Sequence, residues 1–335
     1  MAPTVTPQIQ SSLSQIPGNS GQQSGRTLAI LGCGAMGTAI LSGIISFQDS
    51  SSGTQEIDLL PTRFIACVRR LESADAIRSK LPCEALDSTV SVYVNNNCAA
   101  VREADVILLA CQPHLYKPLL QESGICAALK GKPVISVLAG VASSEIKRHL
   151  VQIFDKESTD IHDLDAVFDA FSVIRAMPNI ASAVQASSTV LEIDSQPLTG
   201  DIIATARAIF SCVGTVFTTT PEQFGICTTL NGSTPAFFAM VIDGLVDGAV
   251  ALGLSHTEAT QMAATTMRGT ADLIMSGKST LDLRYEVACP GGATIQGLQV
   301  LEEARTRAVW MRAMAAATSE QSSLGEGLKV SRRGA

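Results

Sequence analysis

Three glycines at the spacing GxGxxG close the segment Leu28-Ala29-Ile30-Leu31-Gly32-Cys33-Gly34-Ala35-Met36-Gly37, between a short apolar strand and a helix-like run from Thr38 to Phe47. Gly32 permits a tight turn, and Gly34 lets the backbone approach a pyrophosphate closely. Gly37 lets the helix pack on the strand. The helix N-terminus, reached through Ala35 and Met36, receives the phosphate charge. An ordinary strand-to-helix turn also fits this spacing. Its setting near the start of the folded region favours a dinucleotide site.

The end of the second strand chooses between the two nicotinamide cofactors. A carboxylate there would hydrogen-bond the ribose 2′-hydroxyl of NAD and repel a 2′-phosphate. The chain instead reads Ile65-Ala66-Cys67-Val68-Arg69-Arg70, with no acid before Glu72. Two guanidinium groups suit a phosphate dianion by charge and by bidentate geometry, so NADPH is favoured, with NADH as the alternative. A solvated strand end is the plainer reading of the same arginines. Two further segments, Ala110-Cys111-Gln112-Pro113-His114 and Ser136-Val137-Leu138-Ala139-Gly140, end strands at the sheet edge where ligands bind in doubly wound folds. Their backbone groups are candidates to line the cofactor. Cys111 and His114 suggest a nucleophile and base, but no oxyanion loop or third partner accompanies them, which disfavours covalent catalysis.

Arg175-Ala176-Met177-Pro178-Asn179 ends another strand, and Asn179 is a candidate to hydrogen-bond the nicotinamide amide; a plain strand exit is the competing reading. Val287-Ala288-Cys289-Pro290-Gly291-Gly292-Ala293-Thr294 places a Pro-Gly-Gly turn at the start of a helix. Such a turn exposes unpaired backbone N–H groups, which suits a substrate carboxylate, and the Thr294 hydroxyl adds a donor. Between residues 221 and 328 the chain has one lysine, Lys278. Hydroxy-acid dehydrogenases of similar layout hold a helical lysine at the nicotinamide, because an alcohol must lose its proton as hydride departs. The corresponding stretch here, Asn231-Gly232-Ser233-Thr234-Pro235-Ala236, has no ionisable side chain. A protonated imine is already electrophilic, so positioning and desolvation carry most of its reduction. A site poor in acids and bases points to imine reduction.

These residues need a frame. From Arg26 the chain alternates apolar strand-like and helix-like runs, which predicts a Rossmann-type, doubly wound α/β domain with a parallel sheet and crossover helices. The strands expected are Leu28–Leu31, Phe64–Val68, Val90–Val94, Val106–Cys111, Val134–Leu138, Val173–Met177, Val190–Ile193 and Thr215–Thr218. Helices are expected at Thr38–Phe47, Leu71–Lys80, Leu115–Leu129 and Ser143–Val151. Ser46–Pro61 and the acidic Asp155–Asp169 read as solvated loops inserted on this frame. After about Pro221 strand signals vanish. Phe237–Leu252 reads as a helix, Ser255-His256-Thr257-Glu258 as a capping box opening a second that ends at Gly277, and a third follows Gly292 past Trp310. The expected division is a tail over 1–25, a nucleotide-binding domain over 26–219, an all-helical domain over 220–320 and a loose tail over 321–335. The apolar helices are hard to bury within one chain, so a homodimer formed through them is expected.

Composition sets the outer bounds. The chain has 335 residues, 46% hydrophobic and 16% charged, with a net charge of −7 and no basic stripe, which argues against nucleic acid as the main partner. No uninterrupted apolar run approaches the roughly 18–20 residues of a membrane span. The nine cysteines lack CxxC spacing and the four histidines lack ligand spacing. Reduced thiols and no metal site are expected. Residues 1–25 carry neither the apolar core of a secretory signal nor the arginines of a presequence before Gly25, so a cytoplasmic location is expected by default.

Taken together, the residues resemble pyrroline-5-carboxylate reductase over roughly residues 27–318. The resemblance rests on the Gly32–Gly37 turn, Ala110-Cys111-Gln112-Pro113, Arg175-Ala176-Met177-Pro178-Asn179, and above all Asp282 to Glu302 with Pro290-Gly291-Gly292-Ala293-Thr294-Ile295. That family reduces a cyclic imino acid with NAD(P)H, on a Rossmann domain followed by helices interleaved in a dimer that often assembles into a decamer. The resemblance implies carboxylate binding by Cys289, Gly291, Gly292, Ala293 and Thr294, with Thr294 close to the imine nitrogen. It also implies cofactor contacts at Asn97, Ala110, Gln112 and Ala139. The chain departs from the family pattern in several places. Cys289 stands where the family usually has Ser, and Gln112 where it has Lys. Asn231 and Thr234 interrupt a Leu-Ser-Gly-Ser-Gly-Pro-Ala segment, and Ile180-Ala181 replaces Thr-Pro. These changes fit either drift or a substituted ring, so a methylated pyrroline carboxylate, as used in some fungal secondary pathways, is the second substrate considered.

Overall fold

The computed structural model describes residues 25–50, 59–157, 164–193 and 200–330. The expected tail over 1–25 lies outside the described residues except for Gly25. In the first half, β1 (Thr27–Leu31) leads into α1 (Ala35–Ser50), then β2 (Arg63–Val68), α2 (Leu71–Arg78), α3 (Cys83–Ser88), β3 (Val90–Val94), α4 (Asn97–Glu103) and β4 (Val106–Leu109). Next come α5 (Tyr116–Leu120), α6 (Ile125–Leu129), β5 (Pro133–Ser136), α7 (Ser143–Glu157), α8 (Leu164–Asp169) and β6 (Ser172–Met177). The sheet is completed by β7 (Ser187–Glu192), α9 (Gly200–Ser211) and β8 (Gly214–Thr219).

These strands form one sheet in the order β3-β2-β1-β4-β5-β6-β7-β8. Every pairing is parallel except that of β6 with β7. The wholly parallel sheet expected from the alternation is therefore corrected at this one place. The connection Pro178–Ala186 is too short for a helical crossover, which takes a dozen or more residues, so β7 turns back antiparallel. Alternate residues of β1 face opposite sides. Leu28 and Ile30 pack with Ile40, Leu41 and Ile44 of α1, and Ala29 and Leu31 with Tyr116, Leu120 and Leu150. Strand order reverses between β1 and β4, and a crevice opens at such a switch point.

Several expected elements change length. The helix expected over Leu115–Leu129 is a 3₁₀ turn (Pro113–Leu115) followed by α5 and α6, because Gly124 takes φ +80° and breaks the run. Of the two supposed loops, residues 46–50 close α1, 155–157 close α7 and Leu164–Asp169 is α8, while 51–58 and 158–163 lie outside the described residues.

Beyond β8 the described chain is helical: α10 (Pro221–Thr228), a π-helical turn (Thr229–Ser233), α11 (Thr234–Ala251), α12 (His256–Met275), α13 (Thr280–Val287), α14 (Ala293–Glu303) and α15 (Thr306–Val330). The capping box forms as the sequence predicts: the Ser255 hydroxyl accepts from the Glu258 N–H at 3.3 Å and donates to its carboxylate at 2.6 Å. The single helix expected after Gly292 is two, because Arg305 adopts φ +54°. The loose end expected from residue 321 continues as helix to Val330, and 331–335 lie outside the described residues. The stretch Pro221–Ala251 is one continuous helix of 31 residues containing an 18-residue window of mean hydropathy 1.4, long and apolar enough to cross a membrane. Asn231 and Gly232 interrupt the apolar run in the sequence but sit in the π-helical turn, and Pro235 sits in the first turn of α11, so none of them ends the helix.

This half has almost no core of its own. Val246 is the one buried residue of α11 and Ala259 that of α12. Met240 and Leu252 stand 70 and 91% exposed. A single chain leaves these apolar faces uncovered.

Candidate active site

A cleft of about 790 Å³ lies at the C-terminal ends of β1, β2, β4 and β5. Its floor is the glycine turn. Gly32 takes φ +76°, and the exit of β4 passes so close that any Cβ there would meet the Cys111 backbone. Gly34 faces open space, with nothing nearer to a would-be Cβ than its neighbour's carbonyl oxygen at 4.0 Å, so the cleft is free where a diphosphate must sit. A Cβ on Gly37 would lie 2.9 Å from the Ile30 side chain, which sets how closely α1 packs on β1. The three glycines thus serve a turn, an approach and a packing contact. With Ala35 and Met36 at the start of α1, the floor fits the phosphate cradle of a dinucleotide.

Arg69 and Arg70 stand exposed at one end of the cleft, directly before α2. Two residues the sequence reading passed over join them. Ser73 lies in the first turn of α2, and Asn95 holds a left-handed conformation (φ +53°) with its N–H on the Val68 carbonyl at 2.9 Å. Positive charge, a hydroxyl and a helix N-terminus thus line the same stretch of the cleft, a set of donors that suits a phosphate. Asn97 also lines the cleft, its amide donating to Glu122 at 2.8 Å. Ala110, Gln112, Pro113 and Ala139 line the other end, while Gly140, with φ +72°, lies behind the wall and turns the chain toward α7.

The thiols at the floor are inert. Burial pushes Cys111 up to about 11, Cys33 up to about 11 and Cys67 up to about 12, so all three stay protonated at neutral pH. A protonated Cys111 is no nucleophile, in line with the disfavoured covalent reading.

Met177 and Pro178 supply the wall beyond β5. Asn179 does not line the cleft. Its side-chain oxygen accepts from the Ala181 N–H at 3.0 Å, and its amide donates to Asn231, so both polar ends are committed. In the single chain these bonds hold the turn. Behind this wall the Arg175 guanidinium pairs with Glu192 at 2.8 Å and lies over the Phe224 ring, 4.1 Å from its centre. The Ser143 hydroxyl donates to the same carboxylate at 2.9 Å, which ties the start of α7 to β7. Sequence reading found Arg175 only as part of a motif, since Glu192 lies a strand away.

The Cys289–Thr294 turn stands apart from the cleft in the single chain. Gly291 takes φ +71°, and the Gly292 N–H bonds the Cys289 carbonyl at 3.0 Å. Gly292 opens α14 without a capping side chain, so the first N–H groups of that helix, around Ala293 and Thr294, are offered outward. Cys289, Gly291, Ala293 and Thr294 are exposed. One chain does not bring the two candidate halves together.

Comparison with known proteins identifies both halves. Residues 221–324 match the family model described as pyrroline-5-carboxylate reductase dimerisation, and residues 27–140 that described as NADP oxidoreductase, coenzyme F420-dependent. The long apolar helix is therefore part of a dimerisation domain. A delta-1-pyrroline-5-carboxylate reductase of Curvularia clavata is 41% identical over 315 residues, covering 89% of this chain and 96% of that protein. The pyrroline-5-carboxylate reductase of Neurospora crassa is 38% identical, covering 90 and 93%. Among solved structures, a pyrroline-5-carboxylate reductase from Coxiella burnetii is 26% identical with a TM-score of 0.71, covering 90% of this chain and 98% of that one. The fold is shared too with the NADP-bound Plasmodium falciparum pyrroline carboxylate reductase, at 20% identity and a TM-score of 0.67, covering 90 and 99%. With two fungal relatives matched nearly end to end and the dimerisation model matched in place, the chain belongs to the pyrroline-5-carboxylate reductase family.

Proposed function

We propose that this chain reduces 1-pyrroline-5-carboxylate to proline with NADPH, working as a homodimer whose second copy brings a Cys289–Thr294 turn over the cleft. The observation that carries the reading is the pairing of a glycine-floored cleft, flanked by Arg69 and Arg70, with a family dimerisation domain whose apolar faces are bare in one chain. Bound NADPH supplies the hydride. The chain's own residues position and exclude water. Gly32, Gly34, Ala35, Met36 and Gly37 seat the diphosphate; Arg69 and Arg70 hold the 2′-phosphate; Ala110, Gln112, Pro113 and Ala139 shape the nicotinamide end, Gly140 turns the chain away behind Ala139, and Asn97 lies at the rim.

Across from them, the N–H groups at Gly291, Ala293 and Thr294 receive the substrate carboxylate, with Gly292, its own N–H held on the Cys289 carbonyl, shaping the turn. Cys289 adds only a weak thiol donor there. The Thr294 hydroxyl lies by the ring nitrogen and holds its proton in line. Positioning, not proton abstraction, carries the rate, which suits a site without ionisable side chains in its helical wall. The weak donor at Cys289 also favours a second reading, a ring carrying a methyl group that packs against the thiol.

The test is NADPH oxidation with unsubstituted, 3-methyl and 4-methyl pyrroline-5-carboxylates in parallel. Turnover of the unsubstituted ring at the highest kcat/KM supports the first reading, and a methylated ring ahead of it supports the second. No turnover of any cyclic imino acid overturns both. Assembly of dimers into a decamer, and a cytoplasmic setting, belong to the same proposal. Sedimentation velocity and localisation of a tagged chain check them.

A further inference from the structure

We propose that Asn231 is a positioning residue for hydride transfer, its buried amide fixing the Met177–Asn179 turn against the π-helical turn between α10 and α11. This deepens the reading given above and rests on it. Asn231 is 5% exposed, in the π-helical turn between α10 and α11. Its Nδ2 donates to the Met177 carbonyl at 2.5 Å. Its Oδ1 accepts from Asn179 Nδ2 at 3.1 Å, and its backbone carbonyl accepts from that amide at 3.3 Å. One side chain therefore satisfies a donor and an acceptor on the turn whose Met177 and Pro178 wall the cleft.

The geometry is specific to an amide. An asparagine presents a donor and an acceptor on one rigid plane, and here each meets its complement. A π-helical turn widens the helix locally, and such turns are characteristic of functional positions. Helix α15 also packs on this turn, so the cleft wall, the start of α11 and the C-terminal helix meet at one polar knot. Buried and paired on both sides, such a knot holds position with little slack, because loosening it leaves the Met177 carbonyl without its donor. Hydride transfer depends steeply on the distance and angle between the nicotinamide and the imine carbon, so a wall displaced by a fraction of an ångström slows chemistry more than binding.

The experiment compares the parent with Asn231→Asp and Asn231→Ser. Aspartate is isosteric but sets a carboxylate oxygen against the Met177 carbonyl; serine keeps a donor too short to reach both partners. Dimer content by sedimentation, NADPH affinity and nicotinamide anisotropy by fluorescence, and kcat with pyrroline-5-carboxylate across pH are measured on each. Expected are parental dimers, NADPH Kd within about threefold, and kcat at least about tenfold lower. For Asn231→Asp the ratio of its kcat to the parent's climbs as pH falls, because the protonated carboxyl regains a donor for Met177. The Arg175–Glu192 pair on β6 and β7 is common to all three proteins and cancels in that ratio.

Parental kcat in either variant overturns the proposal. So does a loss of activity that merely follows the loss of dimer, with no recovery at low pH. If the parent does not reduce pyrroline-5-carboxylate, the function proposed above fails by itself. The anisotropy then decides: bound nicotinamide looser in Asn231→Ser than in the parent supports the positioning role, and equal values end it.

Discussion

Gly32 and Cys111 meet at the floor of the cleft: a methyl group on Gly32 would stand 2.5 Å from the Cβ of Cys111 and 2.8 Å from its backbone nitrogen. The contact locks the exits of β1 and β4 together at the point where strand order reverses. Because Gly32 also has φ +76°, an L side chain there meets both conformational strain and a backbone collision. Gly34, two residues on, meets neither.

Gly32→Ala is therefore expected to lower stability by about 2 kcal/mol or more, from left-handed strain and displaced backbone together. Gly34→Ala is expected to melt within a few degrees of the parent yet bind NADPH at least about tenfold more weakly, its methyl group occupying phosphate space. Thermal denaturation and NADPH titration separate the two. A stable Gly32→Ala that binds NADPH normally would remove the floor from the cofactor site.

Replacing Arg69 and Arg70 together by Ala is expected to weaken NADPH by about tenfold to a hundredfold while changing NADH by less than about threefold. The difference is the 2′-phosphate, which NADH lacks. Raising the salt concentration should narrow the gap, since both guanidinium groups are exposed to screening. Equal losses for the two cofactors would show that the arginines do not read the phosphate.

Thr294→Ala is expected to cut kcat by about tenfold or more and leave the NADPH Kd near the parental value, because the function proposed above sets the hydroxyl at the imine and not at the cofactor. Cys289→Ser, which sets a stronger donor where the proposed function seats the carboxylate, is expected to lower the imine KM without raising NADPH affinity. Steady-state kinetics with each substrate varied in turn read both. A parental kcat in Thr294→Ala would exclude Thr294 from the reaction.

A charge on the apolar face of α11 tests the need for a second copy. Leu245 is 60% exposed in one chain, beside Met262 and Met267 of α12. Leu245→Glu buries an unpaired carboxylate if that face is an interface, and is expected to shift the protein to monomer with near-complete loss of imine reduction. NADPH binding should survive, since the cleft is lined from the first half alone. An active monomer would refute a site completed by the partner.

Much of the first half was legible from local chemistry. The glycine spacing, the arginine pair and the strand-helix alternation act over a few residues, so the cofactor cleft could be placed from them. The antiparallel β7 was not, because direction depends on the length of Pro178–Ala186 rather than on β7 itself. Arg175–Glu192–Ser143 and Asn231–Met177 escaped notice for a related reason: their partners lie far apart in the chain, and nothing in periodicity reports a long-range polar pair. Asn231 was seen only as a departure in a segment without ionisable groups. The turn at Cys289–Thr294 was legible as a donor cluster. Its distance from the cleft was not, because no single sequence states which surfaces a second copy will supply.

The bare helices carry a further consequence. A half-molecule with Val246 and Ala259 as its buried points on α11 and α12 has no internal reserve against unfolding. Folding of this half is therefore expected to draw on encounter with its twin, and its melting temperature to rise with protein concentration. Dilution alone should then unravel what warming at high concentration leaves intact.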